Sequence, residues 1–68
     1  MPRMSPEERR ASIIAATRAV MARRGIAGTT VRDVAAELGT SSGLIHHYYS
    51  SMDELLAEAF GLSAQDAA

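Results

Sequence analysis

The sequence predicts an all-α fold: three helices that include a helix-turn-helix, followed by the start of a fourth helix. The first observation behind this prediction is composition, because thirteen alanines stand against one phenylalanine, two tyrosines and no tryptophan. Alanine favours helices, whereas aromatic and β-branched residues favour sheets. The second is that apolar residues recur at steps of three and four, and the third is that a serine or threonine precedes each such run.

Length and cysteine content limit the kind of domain. The chain has 68 residues and no cysteine, which predicts one small domain without disulfides or thiolate metal sites. No apolar run approaches the roughly 18 residues that a membrane-spanning helix needs. We therefore expect a small, soluble, intracellular domain.

Charge is distributed unevenly along the chain. Residues 1–49 hold seven arginines and four acids, which gives +3, whereas residues 50–68 hold four acids and no base, which gives −4. A basic front favours an anionic partner, either nucleic acid or a membrane surface. Solvated helix faces that happen to be unevenly charged are the alternative.

The first helix is predicted over residues 6–24. Ser5 can cap the first amides, Pro6 suits the first helical position, and Glu8 completes a capping box. Gly25 ends the helix. The stripe that faces the core comprises Ile13, Ile14, Thr17, Val20 and Met21. A targeting peptide or a membrane-surface helix would also be arginine-rich and amphipathic, and this alternative stays open.

A helix-turn-helix is predicted next. Thr30 heads a second capping box with Asp33, and Gly39 ends this short helix. Ser41 then caps a third helix over residues 42–49. Ile26, in the preceding connector, is expected to face the core. So are the apolar residues of the two helices: Val31, Val34, Ala35, Leu38, Ile45 and Tyr49.

The outer face of the third helix has an unusual composition. It has small residues, hydrogen-bonding groups and one aliphatic side chain, but no acid: Ser42, Gly43, Leu44, His46, His47 and Tyr48. A helix that enters the major groove needs short residues at its N-terminal end and donors elsewhere. This face therefore favours nucleic-acid binding.

A third capping box opens the fourth helix at Ser51 and Glu54. Apolar residues follow at helical spacing: Leu55, Leu56, Ala59 and Phe60. We expect Leu55, Leu56 and Phe60 to form an exposed face. A small helical protein-interaction module that uses this face is the alternative function.

The joint pattern resembles a known family. Residues 25–49 run Gly-x-x-Gly-Thr-Thr-Val-Arg-Asp-Val-Ala-x-x-Leu-Gly-x-Ser-x-Gly-x-x-x-His-Tyr-Tyr. With residues 51–56 and the first-helix residues Ile13, Ile14 and Ala16, this pattern is similar to the DNA-binding domain of tetracycline-repressor (TetR) family regulators. The resemblance covers about residues 8–60. It implies a homeodomain-like DNA-binding domain whose helix-turn-helix spans about residues 30–49, with the third helix as the recognition helix.

The resemblance also implies individual roles. Arg32 aligns with a residue that often reaches a base edge, where arginine suits guanine. Ser41, which precedes the recognition helix, is a further DNA-binding residue. The base-facing positions of the helix are Ser42, Gly43, Leu44 and His47. The positions that commonly hold phosphates are Thr30, His46 and Tyr48, and the fourth helix presents amides to another phosphate near Ser51. Met52 stands where the family usually has a phosphate-binding lysine.

The expected organisation is an N-terminal arm over residues 1–5, the DNA-binding domain over 6–60, and a tail over 61–68. In the family such a tail leads to a domain that binds a small-molecule effector and forms the homodimer, and we expect this domain to be absent from the 68 residues. We expect a bacterial repressor that binds a palindromic operator of double-stranded DNA. We expect it in the cytoplasm, associated with the nucleoid when bound to DNA, with no membrane partner.

No cofactor, metal or catalytic role is expected. His46 and His47 point about 100° apart on a helix, and neither has an obvious carboxylate or serine partner.

Overall fold

A computed structural model describes residues 4–61 of the chain. It contains four helices, α1 (Pro6–Arg24), α2 (Val31–Leu38), α3 (Ser42–Tyr48) and α4 (Met52–Ala59). No strand occurs within residues 4–61, so the all-α prediction is confirmed. Most of the predicted N-terminal arm and tail, residues 1–3 and 62–68, lies outside the described residues.

The bounds and the cap of α1 match the prediction. The Ser5 amide donates to Glu8 Oε1 at 2.8 Å, and the Glu8 amide donates to Ser5 Oγ at 3.1 Å. These two bonds form the predicted capping box. They also hold the pKa of the Glu8 carboxyl below its usual value, the backbone bond more than the side-chain bond. Gly25 ends the helix with φ at 77°, a backbone conformation that residues with a Cβ rarely adopt.

The capping boxes of α2 and α4 are only half formed. Thr30 Oγ1 accepts the Asp33 amide at 3.1 Å, and Ser51 Oγ accepts the Glu54 amide at 3.3 Å. The carboxylates, however, do not complete the reciprocal bonds. Asp33 accepts the Thr30 hydroxyl at 3.0 Å, and Glu54 accepts the Ser50 hydroxyl at 2.6 Å. A hydroxyl next to each carboxylate thus replaces the N-cap amide as its partner.

The core forms where α1 packs against both α2 and α4 while α2 packs against α3. All four helices contribute, and the central buried side chains are Ile13, Val20, Val34, Ile45 and Leu55. Tyr49 is also buried, as predicted, but it is the C-cap of α3 and not its last helical residue. The predicted inward stripes of the first three helices are thereby largely confirmed.

Two burial predictions are wrong. Ile26 is 52% exposed, and the buried residue of the α1–α2 connector is Thr29. The Thr29 hydroxyl donates to the Gly25 carbonyl at 2.7 Å, which satisfies the hydroxyl as it turns inward. Leu55 is fully buried and belongs to the core cluster, which forms where α4 packs against α1. Of the predicted exposed face, only half-buried Leu56 and exposed Phe60, which lies just beyond the end of α4, reach solvent.

Arginines of α1 connect it to its two neighbours. Arg18 Nε donates to the carbonyl of Ala59 at 3.1 Å, at the C-terminal end of α4, where positive charge is favoured. The last turn of α1 forms two ion pairs with α2: Arg23 with Glu37 at 2.6 Å and Arg24 with Asp33 at 3.8 Å. These contacts join the ends of the helices around the apolar core.

The hydroxyl of Tyr49 is buried without a hydrogen-bond partner among the described residues. Burial raises the pKa of this phenol, and the negative charge of Glu58 raises it further. An unpartnered buried hydroxyl is costly, so this position is one where the sequence is not optimal for stability.

Candidate nucleic-acid interface

The turn between α2 and α3 fixes their mutual geometry. Gly39 adopts the left-handed conformation, with φ 80° and ψ 34°, which glycine adopts without steric cost. The amides of Gly39 and Thr40 both donate to the Ala35 carbonyl at 2.9 Å. Ala35 is only 3% exposed at this junction. These contacts close α2 and direct the chain into α3 within three residues, which is the helix-turn-helix connection.

The core anchors α3 by one face and leaves the opposite face in solvent. Ile45 is fully buried, whereas four of the six predicted outer residues are exposed and Leu44 is half-buried. The exposed residues are Ser42, Gly43, His46 and His47. No acidic side chain lies on α3 itself, so this face offers donors and small surfaces without charge repulsion toward an anion.

Tyr48 differs from the prediction of an outer position. It is half-buried and packs against the core cluster. Its ring meets the His47 ring edge-on, with centroids 5.1 Å apart and planes at 90°, an arrangement that aromatic pairs prefer. The packed Tyr48 ring thereby supports exposed His47 in one orientation.

Neither the backbone conformation nor the packing around position 43 requires a glycine there. The φ of Gly43 is not positive, and a Cβ built at this position would meet only Ser41 Oγ, at an ordinary 3.6 Å. Gly28 differs, since a Cβ there would lie 2.7 Å from the Arg24 carbonyl oxygen. Glycine within a helix is less stable than alanine. The absence of a side chain at position 43 therefore leaves room on the outside of α3.

Three of the predicted DNA-binding residues are helix caps, and they differ in what their hydroxyls can still donate. Thr30, Ser41 and Ser51 are exposed, and each side chain accepts a backbone amide. A hydroxyl can accept and donate at once. The donor of Thr30 is used by Asp33, whereas the hydroxyls of Ser41 and Ser51 donate to no other group within the described part of the chain.

Arg32 is exposed on α2. It makes no ion pair with another residue of the described range, in contrast to Arg23 and Arg24. Its guanidinium therefore retains its planar set of five donors for an external acceptor. Sequence reasoning identified Arg32 but missed that Arg24 and Thr30 both approach the same oxygen of Asp33. The signal for that arrangement was Asp33, an acid at the start of α2 that could pair with the last turn of α1.

Metal sites and membrane-spanning helices were the other features considered for residues 4–61. Across residues 4–61, no three histidine, aspartate or glutamate side chains come together as a metal site. In the same range, no helix combines the length and hydropathy needed to cross a bilayer.

Comparisons with known proteins agree with this geometry. A family model described as bacterial regulatory proteins, tetR family, matches residues 13–59. The curated relative "HTH-type transcriptional regulator PksA" of Bacillus subtilis is 46% identical over 56 residues, which is 82% of this chain and 27% of the relative. "HTH-type transcriptional regulator BetI" of Vibrio vulnificus is 39% identical over 59 residues, or 85% of this chain and 30% of the relative.

A third relative is named as a repressor. "HTH-type transcriptional repressor KstR2" of Mycobacterium tuberculosis is 38% identical over 50 residues, which is 74% of this chain and 25% of the relative. The chain thus spans less than a third of the length of these relatives. No solved structure matches the chain significantly. The family match covers the helix-turn-helix together with most of α1 and all of α4, and the chain therefore belongs to the tetR family of bacterial regulatory proteins, DNA-binding regulators of transcription.

Proposed function

We propose that this chain is the DNA-binding domain of a bacterial repressor and that α3 enters the major groove of a palindromic operator. Gly43 is the observation that supports this most strongly. The protein gains nothing from a glycine on the outer face of α3, where a Cβ would fit without a clash. Close approach of DNA to this face would explain why position 43 carries no side chain.

Base reading falls to residues on α2 and α3. Arg32 is an exposed guanidinium without an ion-pair partner in the described part of the chain, and it suits the O6 and N7 atoms of guanine. Leu44 offers an aliphatic side chain for a thymine methyl, and His47 offers ring nitrogens for a base edge. Ser42 and Gly43 keep the N-terminal end of α3 small enough to approach the bases.

Phosphate contacts set the register of α3 on the duplex. Ser41 and Ser51 can donate their hydroxyls to phosphates while they cap their helices, because each hydroxyl accepts and donates at once. Thr30, His46 and Tyr48 complete the proposed phosphate contacts. Such contacts position a protein on DNA without reading its sequence.

Dimerisation and effector binding belong to the rest of the whole protein in this proposal. The relatives are more than three times as long as the matched segment, which leaves length for a further domain beyond residues 6–60. Two copies would place their α3 helices in successive major grooves, about 34 Å apart, and block transcription. A small-molecule effector bound to that further domain would change this spacing and release the DNA. Such a regulator would act in the cytoplasm.

The protein-interaction alternative loses one of its three residues. Leu55 is fully buried, and only Leu56 and Phe60 of its proposed face reach solvent. Phe60 is 50% exposed. We therefore retain DNA binding as the proposed function and leave protein interaction as an outcome of the test.

Selection from a pool of random DNA duplexes at low salt tests the proposal. We expect enrichment of a short motif that represents one half-site, bound with an affinity that falls steeply as salt rises. Salt-dependent binding without enrichment would contradict sequence-specific recognition by this domain. No DNA binding by a folded chain would overturn the proposal in favour of the interaction module.

A further inference from the structure

Arg24 and Thr30, a proposed phosphate contact, share one acidic neighbour, Asp33. The Arg24 Nη1 atom is 3.8 Å from Asp33 Oδ2, and the same oxygen accepts the Thr30 hydroxyl at 3.0 Å. The guanidinium and the hydroxyl thus both approach the same carboxylate oxygen. A phosphate oxygen near this position could accept from the Thr30 hydroxyl, and a small shift of the exposed Arg24 guanidinium would bring its donors within hydrogen-bond distance as well.

The pair between Arg24 and Asp33 is weak enough to exchange. Its 3.8 Å separation is too long for a hydrogen bond, and the Arg24 side chain is 58% exposed. Among the described residues, no hydrogen bond from the Arg24 guanidinium is formed. Exposed ion pairs of this kind contribute little to folding, so their loss costs little when a stronger acceptor arrives.

Arg23 provides the internal contrast. It has nearly the same exposure, 55%, but it donates to Glu37 Oε1 at 2.6 Å, a close charge-assisted hydrogen bond. Glu37 is on the last turn of α2, two helical turns from Thr30. Two adjacent arginines of α1 are therefore in different states, one engaged by its partner and one loosely paired next to Thr30.

We propose that Arg24 is a further DNA-contact residue. When DNA binds, its guanidinium exchanges Asp33 for the phosphate that Thr30 also contacts. This proposal rests on the proposed function. In the free protein Asp33 accepts the Thr30 hydroxyl and pairs loosely with Arg24, and it competes with the phosphate for both groups. A phosphate contact adds affinity for any sequence and contributes about 0.9 to the logarithmic salt slope.

Titration of a short random-sequence duplex tests the proposal without knowledge of the operator. The variants are Arg24→Ala, the conservative Arg24→Lys and the matched control Arg23→Ala, each checked for folding by circular dichroism. We expect Arg24→Ala to weaken binding for every sequence and to reduce the salt slope by about 0.9. The ratio of wild-type to variant affinity should then shrink about 3.5-fold between about 50 and 200 mM salt.

The other variants separate a DNA contact from a structural role. Arg23→Ala should keep the wild-type slope, and Arg24→Lys should restore most of the slope because it keeps the charge. Asp33→Asn should tighten binding, since it removes the competing carboxylate. Equal slopes for wild type, Arg24→Ala and Arg23→Ala would overturn the proposal. If the wild-type chain bound no DNA, the proposed function itself would fail, which is a distinguishable result.

Discussion

Replacing Gly43 with alanine should change stability and DNA binding in opposite directions. A Cβ at this position meets only Ser41 Oγ at 3.6 Å, and the backbone conformation is one that alanine adopts freely. At such a site, Gly→Ala stabilises a protein by about 0.4–1 kcal/mol, mainly by restricting the unfolded chain. For a domain of this size, we expect the melting temperature to rise by about 2–8 °C.

The same methyl group would lie where DNA is proposed to approach α3. An extra methyl in a closely packed contact costs about 1–3 kcal/mol, so binding of the selected duplex should weaken about 5- to 150-fold. Thermal unfolding followed by circular dichroism measures the first effect, and fluorescence anisotropy with a labelled duplex measures the second.

Ala22 supplies the control because it is exposed on α1, outside the proposed interface. Ala22→Gly should destabilise the domain by about 0.5–1 kcal/mol and leave DNA affinity unchanged at a temperature where the variant is folded. If Gly43→Ala stabilised the fold and bound DNA as tightly as wild type, the inference that DNA approaches α3 at Gly43 would be refuted.

Three further substitutions test other parts of the account. Arg32→Ala should remove about 1–3 kcal/mol of discrimination at one base pair, as measured by competition between duplexes that differ there; equal weakening for all sequences would contradict a base contact. Met52→Lys should tighten binding at low salt and steepen the salt slope by about 0.9, and an unchanged slope would show that the start of α4 does not approach the phosphates. Tyr49→Phe should stabilise the domain by about 1 kcal/mol, because it removes a buried hydroxyl that has no partner among residues 4–61. Because burial raises the folded-state pKa of Tyr49, wild-type stability should also fall as pH rises above the ordinary phenol value near 10, and a phenylalanine variant with the same alkaline loss and no gain would contradict this reasoning.

The sequence predicted the helices well because their ends are determined locally. As predicted, α1 begins after Ser5 and ends before Gly25, and Ser41 caps α3. A cap depends on a side chain and on amides within three residues, so tertiary structure is not needed to find it. The partners of the capping carboxylates were harder to predict, since an adjacent hydroxyl such as that of Ser50 competes with the N-cap amide.

Burial in the connector and in α4 was less predictable. Ile26 is more apolar than Thr29, yet Thr29 is buried because its hydroxyl bonds to the Gly25 carbonyl. Leu55 and Leu56 are equally apolar neighbours, and only the packing of α4 on α1 decides that Leu55 is the buried one. Such choices depend on the arrangement of helices, which a one-dimensional pattern does not contain.

The candidate site was predicted from both composition and family resemblance. The absence of acids from α3 is visible in its sequence, and the exposure of most of its outer face follows from helical periodicity. The half-burial of Tyr48 and the loose pairing of Arg24 with Asp33 do not, because they depend on contacts between elements. The roles of individual residues toward DNA remain predictions.

The central claim is that DNA binds to the outer face of α3. Nuclear magnetic resonance of the isotope-labelled chain, titrated with a selected duplex, tests this claim most directly, because backbone amide shifts report which surface meets the ligand. We predict that the largest shifts occur over residues 41–48 and at Arg32, with small shifts at Leu56 and Phe60. Largest shifts at Leu56 and Phe60, with residues 41–48 unchanged, would contradict the claim.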